Sequence, residues 1–210
     1  MDLSNVRLVA FDFDGTLVDS NSIKRDAFFQ VAADFPDGRN AMEKVLTDQA
    51  SADRFTTFQK FCQMIGQPEK STSCAQSYGA LCEAHILEAS EPAGLRAFLG
   101  LLRERAIPRA ICSATPENHL VRLAKIRFNG CFEVVRGRPD TKPDILRGLA
   151  ERYGLGCQEL LMVGDGPDDY AAANRVGCLF VGMTAFGYRL SDKAHCVDTY
   201  DQLAVLMRPA

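Results

Sequence analysis

After a first short apolar segment near the N-terminus, short apolar segments alternate with helical segments over the part of the chain that follows residue 92. Strands are predicted at residues 6–13, 109–112, 132–135, 160–163 and 178–181. Helices are predicted at residues 95–105, 117–126, 143–153, 170–176 and 200–207. Strands separated by helices of this length form βαβ units, and such units build a parallel sheet. The alternation therefore predicts an α/β fold with a doubly wound parallel sheet.

A purely helical pattern separates the first strand from the alternating region. Amphipathic spacing is found at residues 23–35, 55–65 and 75–87. Gly38, residues 66–68 and residues 71–73 are interpreted as the breaks between helices. The pattern predicts an insertion of about four short helices. It divides the chain into a core domain, residues 1–18 and 91–210, and a helical domain, residues 19–90.

Composition and charge exclude several classes of function. The net charge of −3 offers no cluster of basic residues for nucleic acid or for an anionic membrane. The apolar runs are too short to span a bilayer, and the N-terminus has no secretory signal pattern, so a cytoplasmic protein is expected. Eight cysteines are scattered without Cys-x-x-Cys spacing, which favours reduced, mostly buried thiols over a zinc or redox site.

The most informative motif is Phe-Asp-Phe-Asp-Gly-Thr, which ends the first predicted strand. Its carboxylates, Asp12 and Asp14, are two residues apart and can point into the same space. Two close carboxylates repel unless a cation lies between them or one keeps its proton. One can then attack phosphorus while its neighbour transfers a proton. The structural alternative is an ordinary Asp-Gly turn at the end of a strand.

A second acidic cluster, Gly-Asp-Gly-Pro-Asp-Asp, follows the strand predicted at 160–163. It contains Asp165, Asp168 and Asp169. Mg²⁺ is held in proteins by a few carboxylates together with substrate phosphate and water. Loops that follow parallel strands lie at the same edge of the sheet, so the two acidic clusters are expected to meet there.

Two further segments complete the requirements of phosphoryl transfer. Ser113 and Ala114 can offer a hydroxyl and backbone amides to a phosphate, although alone they would be interpreted as a helix cap. Lys142 can balance the charge of a transferring phosphoryl group, although alone it would be a surface lysine. Together with the acidic clusters they supply a nucleophile, an acid, metal ligands and a cation.

In this order the four motifs resemble those of the haloacid dehalogenase-like hydrolases, over nearly the whole chain. Within that superfamily the chain is similar to the phosphoglycolate phosphatase-like branch, in which a helical cap of the C1 type follows the first motif. The resemblance implies a Rossmann-like core with residues 19–90 as the cap. It also implies Mg²⁺ as the cofactor and a small phosphate ester as the substrate.

The resemblance implies a role for each motif residue. Asp12 would become phosphorylated, and Asp14 would protonate the leaving group and then activate water. The metal ligands would be Asp12, the Asp14 backbone carbonyl and Asp165, with Asp169 close by. Phosphoryl oxygens would be bound by Ser113, Ala114 and Lys142, and Lys142 would also stabilise the nucleophile. Asp168 ranks below Asp165 and Asp169, and Asp19 and Asp144 are interpreted as helix-start residues.

Substrate specificity is expected to reside in the helical domain. Arg54 and Lys60 flank an aromatic stripe and could bind a second anionic group of the substrate. The alternative, which we prefer on general grounds, is an amphipathic helix with Phe55, Phe58 and Phe61 in its core and the cations in solvent. The three histidines lack metal-ligand spacing and are interpreted as incidental.

Several alternatives remain at this point. Asp14 disfavours dehalogenases and phosphonoacetaldehyde hydrolases, which lack an acid at that position. A phosphomutase of the β-phosphoglucomutase type would use the same aspartates, and a catalytically silent binding protein would share the scaffold. The substrate could be phosphoglycolate, a sugar phosphate or a nucleotide, and the protein a monomer or a homodimer.

Overall fold

The structure is a computed structural model that describes residues 3–48, 53–187 and 194–208. The chain divides into two compact units. One comprises Met1–Asp19 and Ala89–Ala210, and the other comprises Ser20–Glu88. We refer to them as the core unit and the helical unit.

The helical unit contains four helices in its described part, α1 (Asn21–Ala32), α2 (Gly38–Asp48), α3 (Arg54–Met64) and α4 (Ser71–Ile86). Three of them lie where the apolar spacing predicts them. The exception is α2, which begins at the glycine that the sequence suggested as a break. The break suggested at residues 71–73 is also wrong, because α4 begins at Ser71. A Cβ atom at Gly38 would lie 1.9 Å from the carbonyl oxygen of Ala32, so glycine allows α2 to begin directly against the end of α1.

Aromatic side chains form the core of the helical unit. Phe28 contacts Tyr78 at a centroid distance of 4.3 Å, and Phe58 contacts both Phe28 and Phe61. Phe58 and Phe61 are fully buried, as the amphipathic alternative predicts, whereas Phe55 is 54% exposed and lies outside this core. The aromatic stripe of α3 is therefore mainly a packing surface within its own unit.

The core unit is built on a sheet of six parallel strands in its described part. They are β1 (Leu8–Phe11), β2 (Arg109–Pro116), β3 (Val134–Arg138), β4 (Leu160–Gly164), β5 (Leu179–Met183) and β6 (Cys196–Val197). Their order is β3-β2-β1-β4-β5-β6. The five predicted strands are confirmed. The two-residue β6 is too short to give an apolar pattern of its own.

Helices cover both faces of this sheet. They are α5 (Leu95–Glu104), α6 (Glu117–Phe128), α7 (Lys142–Tyr153), α8 (Pro167–Val176) and α9 (Tyr200–Leu206). Leu8 and Ala10 of β1 belong to one apolar cluster with α7 and α8. Phe11 lies on the opposite face, where its ring contacts Phe98 of α5 and Tyr200 of α9. The predicted α/β, doubly wound, Rossmann-like architecture is confirmed.

Strand β1 lies where the winding of the sheet changes direction. It pairs with β2 on one side and with β4 on the other, both in parallel. Because parallel strands present their carboxyl ends at one edge, the loops after these three strands adjoin one another. The two acidic motifs and the Ser113 segment that the sequence singles out lie at the carboxyl ends of these strands.

Two other expectations concern the chain as a whole. None of the helices in the described ranges has the length and apolar character needed to cross a lipid bilayer. All eight cysteines fall in the described ranges, no disulfide joins them, and five are buried, in agreement with the prediction of mostly buried thiols.

Candidate active site

The pairing of β1 with β4 brings the two acidic motifs together. Phe11 is in register with Val163, and the Asp12 amide donates a hydrogen bond of 2.8 Å to the Val163 carbonyl. Asp12 therefore follows β1 beside the point where Asp165 follows β4. Both carboxylates are buried, although they are separated by more than half of the chain.

Three buried carboxylates from the two acidic motifs could hold a metal ion. Asp12, Asp165 and Asp169 each offer an oxygen, and the three oxygens lie within 4.8 Å of one another. The Thr16 hydroxyl donates a hydrogen bond of 3.3 Å to Asp165 Oδ1. An all-oxygen set with several negative charges suits a hard divalent cation, so the residues fit the metal that the family implies. The Asp14 carboxylate is not a member of this group; the resemblance assigns its backbone carbonyl to the metal.

Lys142 lies among the acidic side chains rather than on the surface. Its Nζ atom is 2.6 Å from Asp169 Oδ1, 2.8 Å from Asp168 Oδ2 and 3.4 Å from Asp12 Oδ2. The lysine side chain is only 8% exposed, Asp169 is completely buried, and the Asp168 side chain is 63% exposed. Lys142, at the start of α7, thus connects the segment that follows β1 with the segment that follows β4.

The site has an excess of negative charge, and the pKa values reflect it. Burial raises the pKa of Asp12, Lys142 opposes that rise, and the charge of Asp14 adds to it. Burial and the charge of Asp12 hold the pKa of Asp169 well above its usual range. Although burial lowers the pKa of Lys142, the surrounding carboxylates raise it well above its ordinary value, so the lysine stays protonated. A divalent cation would offset the remaining repulsion.

Two glycines permit the close approach of the second acidic motif. A Cβ atom at Gly164 would lie 2.3 Å from Asp169 Cγ, and one at Gly166 would lie 2.4 Å from Asp168 Oδ1. The Gly166 amide donates a hydrogen bond of 3.0 Å to Asp169 Oδ2. Asp169 therefore accepts hydrogen bonds from an amide and from Lys142, which fixes its carboxylate in one orientation.

The carboxyl-terminal part of β2 reaches Asp14. The pairing of β2 with β3 is irregular between Cys112 and Pro116, and Ser113 is buried there while Ala114 is exposed. The Thr115 amide donates a hydrogen bond of 3.2 Å to Ser113 Oγ. The Thr115 hydroxyl donates one of 2.8 Å to Asp14 Oδ2. Since Ser113 Oγ accepts from an amide, the Ser113 hydroxyl is available to donate to an anion.

Sequence reasoning missed three residues that support the site: Thr16, Thr115 and Tyr200. Thr16 ends the first acidic motif and Thr115 directly follows Ser113 and Ala114, so their positions were a usable signal. Tyr200 donates a hydrogen bond of 3.0 Å to the Thr16 carbonyl from the start of α9. It is buried, and burial together with the charges of Asp12 and Asp165 raises its pKa well above the usual value. No local pattern marks such a long-range contact.

Three further residues were singled out in the sequence: Asp144, Arg54 and Lys60. Asp144 stands in the first turn of α7, whose N-cap is Thr141, in agreement with a helix-start role. Within the helical unit, the Arg54 guanidinium lies 5.0 Å from the centroid of the Phe55 ring, and Lys60 is exposed. Among the described residues, no histidine belongs to a group that could hold a metal.

The chain matches a known family over most of its length. A model of the haloacid dehalogenase-like hydrolases matches residues 6–177. The phosphoglycolate phosphatase of Photobacterium profundum is 29% identical over 197 residues, which are 87% of this chain and 85% of that protein.

Solved structures share the fold. A predicted phosphoglycolate phosphatase from Haemophilus somnus 129PT superposes with a TM-score of 0.78 at 19% identity and covers 97% of this chain and 99% of its own. The β-phosphoglucomutase of Clostridium difficile superposes with a TM-score of 0.70 at 18% identity, over 94% of this chain and 93% of its own. At these identities the superpositions show the fold alone.

Proposed function

This chain belongs to the haloacid dehalogenase-like hydrolases, and we propose that it is a Mg²⁺-dependent phosphatase of small phosphomonoesters. The reaction would proceed through a phosphorylated Asp12. The observation that carries the proposal is the contact of Lys142 with Asp12, Asp168 and Asp169 beside the group of three carboxylates. A buried cation and buried carboxylates from three separate loops suit the transfer of a phosphoryl group.

Mg²⁺ would be held by the carboxylates of Asp12 and Asp165 and by the Asp14 backbone carbonyl, with Asp169 nearby. When bound, it would neutralise charge between the acidic side chains and the phosphate of the substrate. Thr16, which hydrogen-bonds to Asp165, and Gly166, which hydrogen-bonds to Asp169, would keep these carboxylates oriented.

Asp12 would act as the nucleophile. One of its carboxylate oxygens attacks phosphorus, and the bond from phosphorus to the ester oxygen breaks. Asp14, as a carboxylic acid, gives its proton to the departing oxygen. The Asp14 carboxylate then takes a proton from a water molecule that attacks the same phosphorus. The bond from phosphorus to Asp12 breaks, inorganic phosphate leaves, and both aspartates return to their starting states.

Three groups would hold the phosphoryl oxygens during transfer. Ser113 would donate its hydroxyl, Ala114 its backbone amide, and Lys142 its ammonium group. Lys142 also lies close enough to Asp12 to stabilise the nucleophile as a carboxylate. Lys142 would therefore contact both groups that form the new bond, the Asp12 carboxylate and the phosphoryl group.

The helical unit would serve as the cap that selects the substrate. Arg54 and Lys60 are the candidate residues for a second anionic group, such as a carboxylate. Because the matching relatives include phosphoglycolate phosphatases, phosphoglycolate is the first ester to test. Sugar phosphates and nucleoside monophosphates follow, since they carry no such carboxylate.

The test is the release of inorganic phosphate from this panel, in Mg²⁺ and in chelator. Native protein and Asp12→Asn are compared, with Asp201→Asn as a matched control because Asp201 is exposed in the same unit. We expect release by the native protein and the control in Mg²⁺, and none in chelator or by Asp12→Asn.

Two results would contradict the proposal. If a sugar bisphosphate primes isomerisation of sugar phosphates without release of phosphate, the protein is a phosphomutase. If a folded, Mg²⁺-binding protein transforms none of the esters, it is a silent scaffold.

A further inference from the structure

Thr115 connects the end of β2 with the motif that follows β1, both of which the proposed reaction uses. Its hydroxyl donates a hydrogen bond of 2.8 Å to Asp14 Oδ2, across 101 positions of sequence. Its amide donates to Ser113 Oγ at 3.2 Å. One residue therefore contacts both the proposed acid and the proposed phosphate-binding serine.

The backbone position of Thr115 is restricted by its neighbours. Pro116 follows it, and a residue that precedes proline has a restricted backbone. The neighbouring strand approaches closely, because a Cβ atom at Gly137 would lie 2.2 Å from the Thr115 carbonyl oxygen. The pairing of β2 with β3 is irregular at this point, so the end of β2 departs from a regular ladder.

We infer that Thr115 is a positioning residue that orients the Asp14 carboxyl group for proton transfer to the leaving group. This inference rests on the proposed function. A hydrogen bond to one carboxyl oxygen stops the group from rotating about its Cβ–Cγ bond, so the other oxygen keeps one direction. An acid held in this way delivers its proton along a single path.

The inference predicts a dependence on the leaving group. An alkyl phosphate must have its departing oxygen protonated, whereas p-nitrophenolate departs as a stable anion and needs no proton. Removing the Thr115 hydroxyl should therefore slow the alkyl ester selectively. General acid catalysis contributes about 10²- to 10⁴-fold. Loss of orientation alone should remove part of it, about 10- to 100-fold in kcat/KM.

The experiment measures kcat/KM for the best alkyl ester of the panel and for p-nitrophenyl phosphate. Thr115→Val and Thr115→Ala both lack the hydroxyl, Thr115→Ser keeps it, and Thr47→Val is the control because Thr47 is exposed on α2. Thermal unfolding is recorded for every variant. Two hydroxyl-free variants are used so that a folding defect in one leaves the other to decide.

We expect both hydroxyl-free variants to lose about 10-fold or more on the alkyl ester and less than about 3-fold on p-nitrophenyl phosphate. Thr115→Ser should recover most of the loss. An equal loss on both esters, or no loss, in folded protein would overturn the positioning role. If native protein hydrolyses neither ester, the proposed function fails, and the inference fails with it.

Discussion

Replacing Lys142 with methionine tests how much the buried lysine contributes to the free energy of unfolding through its contacts with the buried carboxylates. Lys142→Met keeps the length of the side chain and removes its charge. Asp12 and Asp169 are buried and would lose their cation, whereas Asp168 is largely exposed and would be solvated by water. The cost of the substitution therefore comes from two carboxylates.

Removing one partner of a buried ion pair costs about 3–5 kcal/mol. For a chain of this length each kcal/mol lowers the Tm by about 2–4 °C, so the Tm should fall by about 6–20 °C. The assay is thermal and urea unfolding in chelator. Lys125→Met is the matched control, because Lys125 is exposed on α6 and a surface substitution changes stability by about 0.5 kcal/mol or less.

The loss should depend on pH in a defined direction. Burial already raises the pKa of Asp12 and Asp169, and Lys142 opposes that rise. In the variant these pKa values rise further, so the folded state binds more protons than the unfolded chain and its stability falls as pH increases. The deficit relative to native protein should be largest at about pH 8 and should shrink as the pH falls through the raised folded-state pKa values of Asp12 and Asp169, where both folded proteins bind these protons.

A deficit below about 1 kcal/mol at pH 8 would be that of an exposed ion pair and would contradict a stabilising contact between Lys142 and the buried carboxylates. A deficit that does not change with pH would refute it as well, because it would show that the loss is one of packing rather than of charge.

Two further substitutions test the supports of the site. Gly164→Ala should lower stability by about 1–3 kcal/mol and reduce activity, because the new methyl would overlap the Asp169 side chain. Gly148→Ala on α7, where nothing beyond the adjacent residues and backbone of the helix itself lies within 4 Å of the new methyl, should be neutral or stabilising in the same urea titration. Equal effects of the two substitutions would contradict the close approach of Gly164 to the Asp169 side chain. Tyr200→Phe should cost about 1–3 kcal/mol in urea unfolding, because it leaves the buried Thr16 carbonyl without its donor, and no measurable cost would show that this hydrogen bond does not stabilise the fold.

Much of the core unit could be predicted because its elements are locally encoded. The apolar runs of β1, β2 and β4 are short and bounded by polar loops, and parallel pairing places those loops at one edge. The meeting of Asp12, Asp165 and Lys142 follows from that topology alone. The family resemblance then connected these positions to a reaction.

Other features could not be predicted because they depend on tertiary contacts. The start of α2 at Gly38 reflects the close approach of the end of α1, and no single-helix pattern contains that information. Asp168 ranked below its neighbours, yet it contacts Lys142 at 2.8 Å, a distance that only the folded chain defines. The hydrogen bond from Thr115 to Asp14 likewise depends on the packing of β1 beside β2.

The central claim is that Asp12 carries the phosphoryl group. Asp14→Asn should still accept phosphate from p-nitrophenyl phosphate, which needs no protonation, but should hydrolyse the intermediate slowly because it lacks the base. Asp14→Asn should therefore release a burst of p-nitrophenolate equivalent to the enzyme concentration. Acid quenching and mass spectrometry of the peptides should then find the phosphoryl group on Asp12. Phosphate on another residue, or unchanged turnover by Asp12→Asn, would contradict it.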